Sequence, residues 1–154
     1  MDKMQRILLI EQLDARFKDM TSLREINIPP GGWINSVRIA LNMSLVQLGR
    51  RLGKTSVSVR EIEQRERDRS ITLNKLREVG EALDLQLVYG FLPKWDSLEN
   101  MIERRAEKVA REIVARSSHS MKLENQEIRG ERLEREIRDR AATLKREMPK
   151  YLWD

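Results

Sequence analysis

The sequence predicts a mainly α-helical protein with one short β-strand and a helical C-terminal extension. Apolar residues recur at three- and four-residue spacing through most of the 154 residues. Ser44-Leu-Val-Gln47 and Asp96-Ser-Leu-Glu99 have the form of capping boxes, which mark helix starts. Only Leu85-Gln-Leu-Val-Tyr-Gly-Phe91 turns to β-forming residues, with Leu85, Leu87, Tyr89 and Phe91 alternating.

In chain order, residues 2–20 read as a first helix, with Met4, Ile7, Leu8, Phe17 and Met20 at helical spacing. Met1, Met4 and Met20 are expected in the core. Residues 21–32 form a connector that ends in Pro29-Pro-Gly-Gly32, which cannot continue a helix. Trp33–Leu41 reads as a second helix, with Trp33, Val37, Ala40 and Leu41 inward. A third runs from the Ser44 box through Leu45, Leu48 and Leu52 to Gly53. Thr55 or Ser56 caps a fourth, carrying Val59 and Ile62, and Thr72 opens a fifth, with Leu73, Leu76, Val79, Ala82 and Leu83 inward.

Pro93 ends the strand. A lone strand cannot satisfy its own backbone, so a second copy of the chain is its simplest partner, the alternative being the strand's own domain. From Asp96 a helix runs to about Ser117, with Leu98, Ile102, Ala106, Val109 and Ile113 on one face. After Ser117-Ser-His-Ser120, residues 123–147 form a charge-dense helix whose apolar positions (Ile128, Leu133, Ile137, Ala141, Leu144) are too sparse to hold it firmly. Trp153 is expected to pack on a core helix. The spans are therefore 1–28, an N-terminal helix and connector; 29–84, a helical domain; 85–93, a dimerising strand; and 94–154, a partner-binding helical extension.

The 30 Lys and Arg outnumber the 25 Asp and Glu, giving net charge +5, which fits a polyanionic partner or solubility alone. The chain has no cysteine, which excludes disulfides and thiolate metal sites, and its one histidine, His119, cannot hold zinc alone. No metal, cofactor or catalytic residue is expected. With no Gly-rich phosphate loop and no paired carboxylates in a sheet-lined pocket, the chain does not read as an enzyme. Ile7–Ile10 is too short for a membrane span or a signal peptide, so a cytoplasmic protein is expected.

Leu48, Gly53, Val59 and Ile62 have the spacing of a helix-turn-helix, with Gly53 supplying the positive φ of the turn. Asn42-Met-Ser-Leu-Val-Gln-Leu-Gly-Arg-Arg-Leu-Gly53, Val59-Arg-Glu-Ile-Glu63 and Leu76 through Leu83 resemble the phage-repressor (Xre-like) family over about a third of the chain. That family usually has Ala where Gly49 stands, a difference expected to loosen helix packing slightly. It often has Gly soon after the position of Glu63, where this chain has Gln64-Arg-Glu-Arg-Asp-Arg69, so the fourth helix can run longer.

The resemblance implies a phage-repressor-like bundle that reads double-stranded DNA. Ser56, Val57, Arg60 and Glu61 would face the major-groove floor, beside Thr55 at the helix start. Arg60 would suit a guanine, Val57 a thymine methyl and Glu61 a cytosine amino group, although Glu61 fits a solvated face equally well. Gln47, Lys54, Gln64, Arg65, Arg67 and Arg69 would flank phosphates. From Trp33 to Arg69 there are eight basic and four acidic residues. The strand resembles that of antitoxin-type repressors whose protomers pair strands, which implies a homodimer through 85–91 and an inverted-repeat operator.

Ser120-Met-Lys-Leu-Glu124-Asn125 resembles the inhibitory motif of antitoxins that block Fic-type AMP-transferases. There, the Glu pairs with an Arg that otherwise holds the ATP γ-phosphate, and the Ser hydroxyl contacts the same site. The chain as a whole resembles the family called mobile mystery protein A. The matching stretches are Pro29-Pro-Gly-Gly-Trp-Ile34, Leu83-Asp with Leu87-Val-Tyr89, Val114 to Met121 with Leu123-Glu124, and Leu152-Trp-Asp154. That resemblance implies a DNA-binding, nucleoid-associated antitoxin that represses its own operon and neutralises a Fic-domain toxin encoded beside it by placing Glu124 at the toxin's ATP site, with Ser120, Glu124 and Asn125 as its inhibitory residues. The alternative is a stand-alone repressor whose C-terminal helices only oligomerise.

Overall fold

The computed structural model describes residues 1–118 and 126–154. Ser120, Glu124, Asn125 and His119 lie outside the described residues. The described part is mainly helical: α1 (Lys3–Asp19), α2 (Trp33–Ala40), α3 (Leu45–Leu52), α4 (Ser56–Arg67), α5 (Leu73–Ala82), α6 (Leu98–Ser118) and α7 (Gln126–Glu147). Short 3-10 turns occur at Thr21–Glu25 and Lys150–Trp153. No helix among the described residues is long and apolar enough to cross a membrane.

The expected strand at 85–91 is absent, as is any other among the described residues. Residues 85–93 keep negative φ throughout but form neither helix nor turn. The reason lies in the backbone. A strand exists only through a ladder, and a single copy of this chain offers no second strand to pair with.

The chain divides into two compact units, Glu25–Gly90 and Met1–Arg24 with Phe91–Asp154. In the first, α2–α5 close around Ile34, Leu48, Val59, Ile62, Val79 and Leu83. The helix starts follow their side chains. Ser44 and Gln47 complete the predicted capping box, Thr55 accepts from the Ser58 N–H, and Thr72 accepts from the Lys75 N–H. In α2 the inward residues are Ile34 and Val37, while Trp33, Ala40 and Leu41 are exposed, contrary to expectation. Trp33 is the first helical residue and Leu41 is already past the helix end, so neither stays on the buried stripe. Leu73, at the first position of α5, is likewise exposed.

The second unit is built on α6 and α7. Ile102, Ala106, Val109, Ala110 and Val114 of α6 bury against Ile137, Ala141 and Leu144 of α7, with Leu152 fully enclosed. The expectation that α7 lacks the surface to hold itself is corrected here. Two small residues, Ala106 and Ala110, let the helices approach, and Lys145 bridges Glu99 at 3.1 Å and Glu103 at 3.5 Å. Arg111 adds a 3.0 Å pair with Glu134. The Arg105 guanidinium donates to the Leu152 and Asp154 carbonyls and so fixes the C-terminal turn. That turn buries Leu152 and leaves Trp153 half exposed, so Trp153 is not the anchor expected of it.

α1 lies along α6 with Ile10 against the same core, while Met1 and Met4 are exposed rather than buried. Asp14 of α1 caps α6: its carboxylate accepts the Leu98 N–H at 2.7 Å and the Glu99 N–H at 3.2 Å. Ser97 takes the Asn100 N–H. The capping box predicted for Asp96–Glu99 therefore does not form. The helix starts one residue later, with Ser97 as its local cap, and the Asp14 carboxylate, more than 80 positions away, takes two further N–H groups.

Candidate nucleic-acid interface

The second and third helices of the first unit have the connection that a helix-turn-helix needs. Gly53 sits in the left-handed region at φ 62°, where a glycine is least strained, and ends α3. The Lys54 N–H returns to the Gly49 carbonyl at 2.8 Å, so three residues turn the chain into α4.

Gly49 proves to be a requirement of this turn rather than a loosening of it. A Cβ there would sit 2.6 Å from the Lys54 carbonyl oxygen, a backbone atom held by the turn itself. Gly49→Ala gains about 1 kcal/mol of helix propensity but must force the turn open, at a cost of about 1–3 kcal/mol. The expected net result is a lower urea midpoint together with faster amide exchange at Gly53–Thr55. An unchanged midpoint would show that the turn yields freely.

α4 has one buried and one exposed face. Val59, Ile62 and Glu63 are buried. Val57, Arg60, Glu61 and Gln64, at i, i+3, i+4 and i+7, share the opposite face. Val57 is 66% exposed although apolar, so its methyls are presented to the outside. Arg60 and Glu61 are exposed and make no hydrogen bond or ion pair among the described residues.

The remaining candidates divide. Lys54, Arg65 and Arg69 are exposed and their side chains make no hydrogen bond or ion pair among the described residues, although the Lys54 charge helps to lower the Glu78 carboxyl, and Arg69 stands at φ 58° just past the helix. Gln47 is committed to its capping box, its side-chain oxygen accepting the Ser44 N–H at 2.7 Å. Thr55 is the N-cap of α4, and Ser56 is the helix's first residue. Gln64 donates to Asp68 at 2.9 Å and accepts from Arg67, so neither Gln64 nor Arg67 is free in the way Arg60 is.

The angle of α4 within its unit is held by two carboxylates that sequence reading passed over as site residues. Buried Glu63 receives Arg38 through Nε at 2.6 Å and through a terminal guanidinium nitrogen at 3.1 Å, and Asn35 at 2.9 Å. Arg38 also donates to the Met43 carbonyl at 3.0 Å. Burial pushes the Glu63 carboxyl up. The Arg38 and Asn35 hydrogen bonds and the charges of Arg38 and Arg67 outweigh it, so the group lies below its ordinary range. Arg38 is correspondingly raised, chiefly by its hydrogen bond to Glu63.

Glu66, one turn on, takes the Trp33 and Ile34 N–H groups at 2.9 Å each and caps α2. A Cβ on Gly32 would meet the Glu66 carboxylate at 2.6 Å. The Pro-Pro-Gly-Gly signal, read from sequence as a helix stop, therefore also makes room for this cap.

No protein-family model, curated protein or solved structure matches the chain.

Proposed function

We propose that this protein binds double-stranded DNA sequence-specifically, with α4 in the major groove, as a homodimer through residues 85–91 on an inverted-repeat operator. The observation that carries the reading is the division of α4. One face is locked into the core by Val59, Ile62 and the Glu63–Arg38 pair, while the other offers Val57, Arg60 and Glu61, and neither Arg60 nor Glu61 makes a hydrogen bond or ion pair among the described residues. A helix presenting an Arg, a Glu and an exposed methyl pair carries the donors, acceptors and apolar contact that base edges discriminate. Lys54, Arg65 and Arg69 supply phosphate contacts at its two ends.

Fluorescence anisotropy with duplex DNA from upstream of the protein's own coding sequence tests this. Arg60→Ala is expected to weaken specific binding about 5- to 150-fold, which is about 1–3 kcal/mol, and to relax preference at one base pair. Lys54→Ala is expected to weaken all sequences alike and to reduce the salt slope by about one. Equal affinity of wild type and Arg60→Ala for operator and random DNA would remove α4 as the reading element.

The proposal extends to neutralisation of a Fic-type AMP-transferase by Ser120, Glu124 and Asn125, and this half rests on the sequence motif alone. A carboxylate four residues from a hydroxyl suits an Arg that otherwise holds a phosphate. Co-expression with a Fic-domain protein encoded next to this chain is expected to restore growth and abolish AMP transfer, and Glu124→Ala to lose both effects. Equal silencing by both forms would move inhibition to another surface. No silencing by either would leave a stand-alone repressor.

A further inference from the structure

The segment between α5 and α6 combines exposed apolar side chains with an unused backbone. The Leu85 N–H returns to Gly80. Beyond it, the N–H groups of residues 86–92 have no hydrogen-bond partner among the described residues. Phe91 is 86% exposed, and Val88 and Tyr89 are both more than half exposed. No charge lies between Asp84 and Lys94, so two copies of this segment can approach without like-charge repulsion.

We infer that residues 85–91 pair antiparallel with the same residues of a second copy, in the one register that places Val88 on the twofold axis. This inference rests on the homodimer of the proposed function and specifies how it forms. In an antiparallel pair, opposed residues point to the same face, and their numbers add to a constant. An odd sum sets Leu85, Leu87, Tyr89 and Phe91 against Gln86, Val88 and Gly90, and mixes the faces. An even sum keeps them apart.

Centring on Leu87 opposes Phe91 to Leu83, which is already buried in the core of its own unit. Centring on Tyr89 opposes Leu85 to Pro93, which has no N–H to donate. Centring on Val88 opposes Leu85 to Phe91 and Leu87 to Tyr89, each twice, and leaves Pro93 outside the ladder. It also sets Asp84 diagonal to the Lys94 of the partner subunit at both ends, within reach for opposite charges. The interface is thus self-complementary, as a twofold dimer requires.

The natural absence of cysteine makes the test clean. Single cysteines are placed at 86 to 90 of the full chain, and the proteins are oxidised and run on non-reducing gels, with sedimentation of the reduced proteins alongside. Directly opposed Cα atoms fall within disulfide reach, whereas diagonal ones lie at or beyond its limit. Val88→Cys is expected to cross-link about tenfold more than Leu87→Cys or Tyr89→Cys. Leu87→Cys mixed with Tyr89→Cys is expected to cross-link although neither does so alone.

Strongest self-linking at 87 or 89 overturns the register while leaving the dimer. A dimer with no cross-link at any position overturns this segment as the interface. A monomer that still binds DNA overturns the pairing without touching the reading of α4, and a cross-linked dimer that ignores DNA does the reverse.

Discussion

Replacing Arg38 with alanine is expected to destabilise the α2–α5 unit by about 3–5 kcal/mol at neutral pH, because it strands the buried carboxylate of Glu63. Glu63 is 4% exposed, and Arg38 supplies two of its three hydrogen bonds, so neither water nor Asn35 can replace the lost charge. The pH dependence has a definite sign. In the wild type the folded Glu63 carboxyl is depressed, so its contribution is present above the ordinary carboxylate range and is lost as the pH falls through its folded value. In Arg38→Ala only the Asn35 hydrogen bond and the Arg67 charge still oppose the raising effect of burial, the largest single cause. The carboxyl is then depressed less or not at all, and the deficit of the variant shrinks as the pH drops into the carboxylate range.

Urea titrations at neutral and acid pH, with amide exchange of α2 and α4 as the local readout, check both statements. A deficit that is the same at both pH values would mean that the loss lies in the Arg38–Met43 contact instead. Adding Glu63→Leu to Arg38→Met is expected to recover most of the stability, since an apolar pair of similar volume replaces a buried ion pair at little cost.

The α3–turn–α4 segment was legible because its signals are local. Ser44 and Gln47 are three residues apart, Gly53 directly follows the last turn of α3, and Val59 and Ile62 carry the period of α4. What was not legible depends on partners distant in sequence. Glu63 shows only the spacing of an acidic residue, and nothing nearby says that Arg38, 25 positions back, will neutralise it. Asp14 takes the first N–H of α6 from 84 positions away, while the local cap falls on Ser97 rather than on Asp96.

Gly49 gave a misleading signal. Judged by helix propensity it is a poor residue, and only the position of the Lys54 carbonyl reveals why alanine does not fit. The strand is the opposite case. The alternation at 85–91 describes only a side-chain pattern, and a strand needs a ladder that no other described segment supplies.

Leu48→Ala is expected to cost about 2–5 kcal/mol and, in doing so, to separate what the core does from what the exposed face does. Leu48 has no exposed surface and sits in α3 among Ile34, Val59, Ile62, Val79 and Leu83, so truncation removes contacts to the helices on every side of it. A unit of this size holds roughly 3–10 kcal/mol in all. The variant therefore loses a large share of the unit's stability, with faster amide exchange throughout α3 and α4.

Val57→Ala removes apolar atoms from the neighbouring helix, but from a side chain that is two-thirds exposed, and should change stability by no more than about 0.5 kcal/mol. If α4 reads DNA, the consequences for binding invert. Val57→Ala loses discrimination at one thymine while staying folded. Leu48→Ala loses binding to every sequence in proportion to the folded fraction, and regains it on cooling or at high operator concentration, because DNA binds only the folded state. Should Leu48→Ala prove as stable as Val57→Ala, the core cannot be what fixes α4. The rigid presentation of Arg60 and Glu61, on which the DNA reading rests, would then have no physical basis.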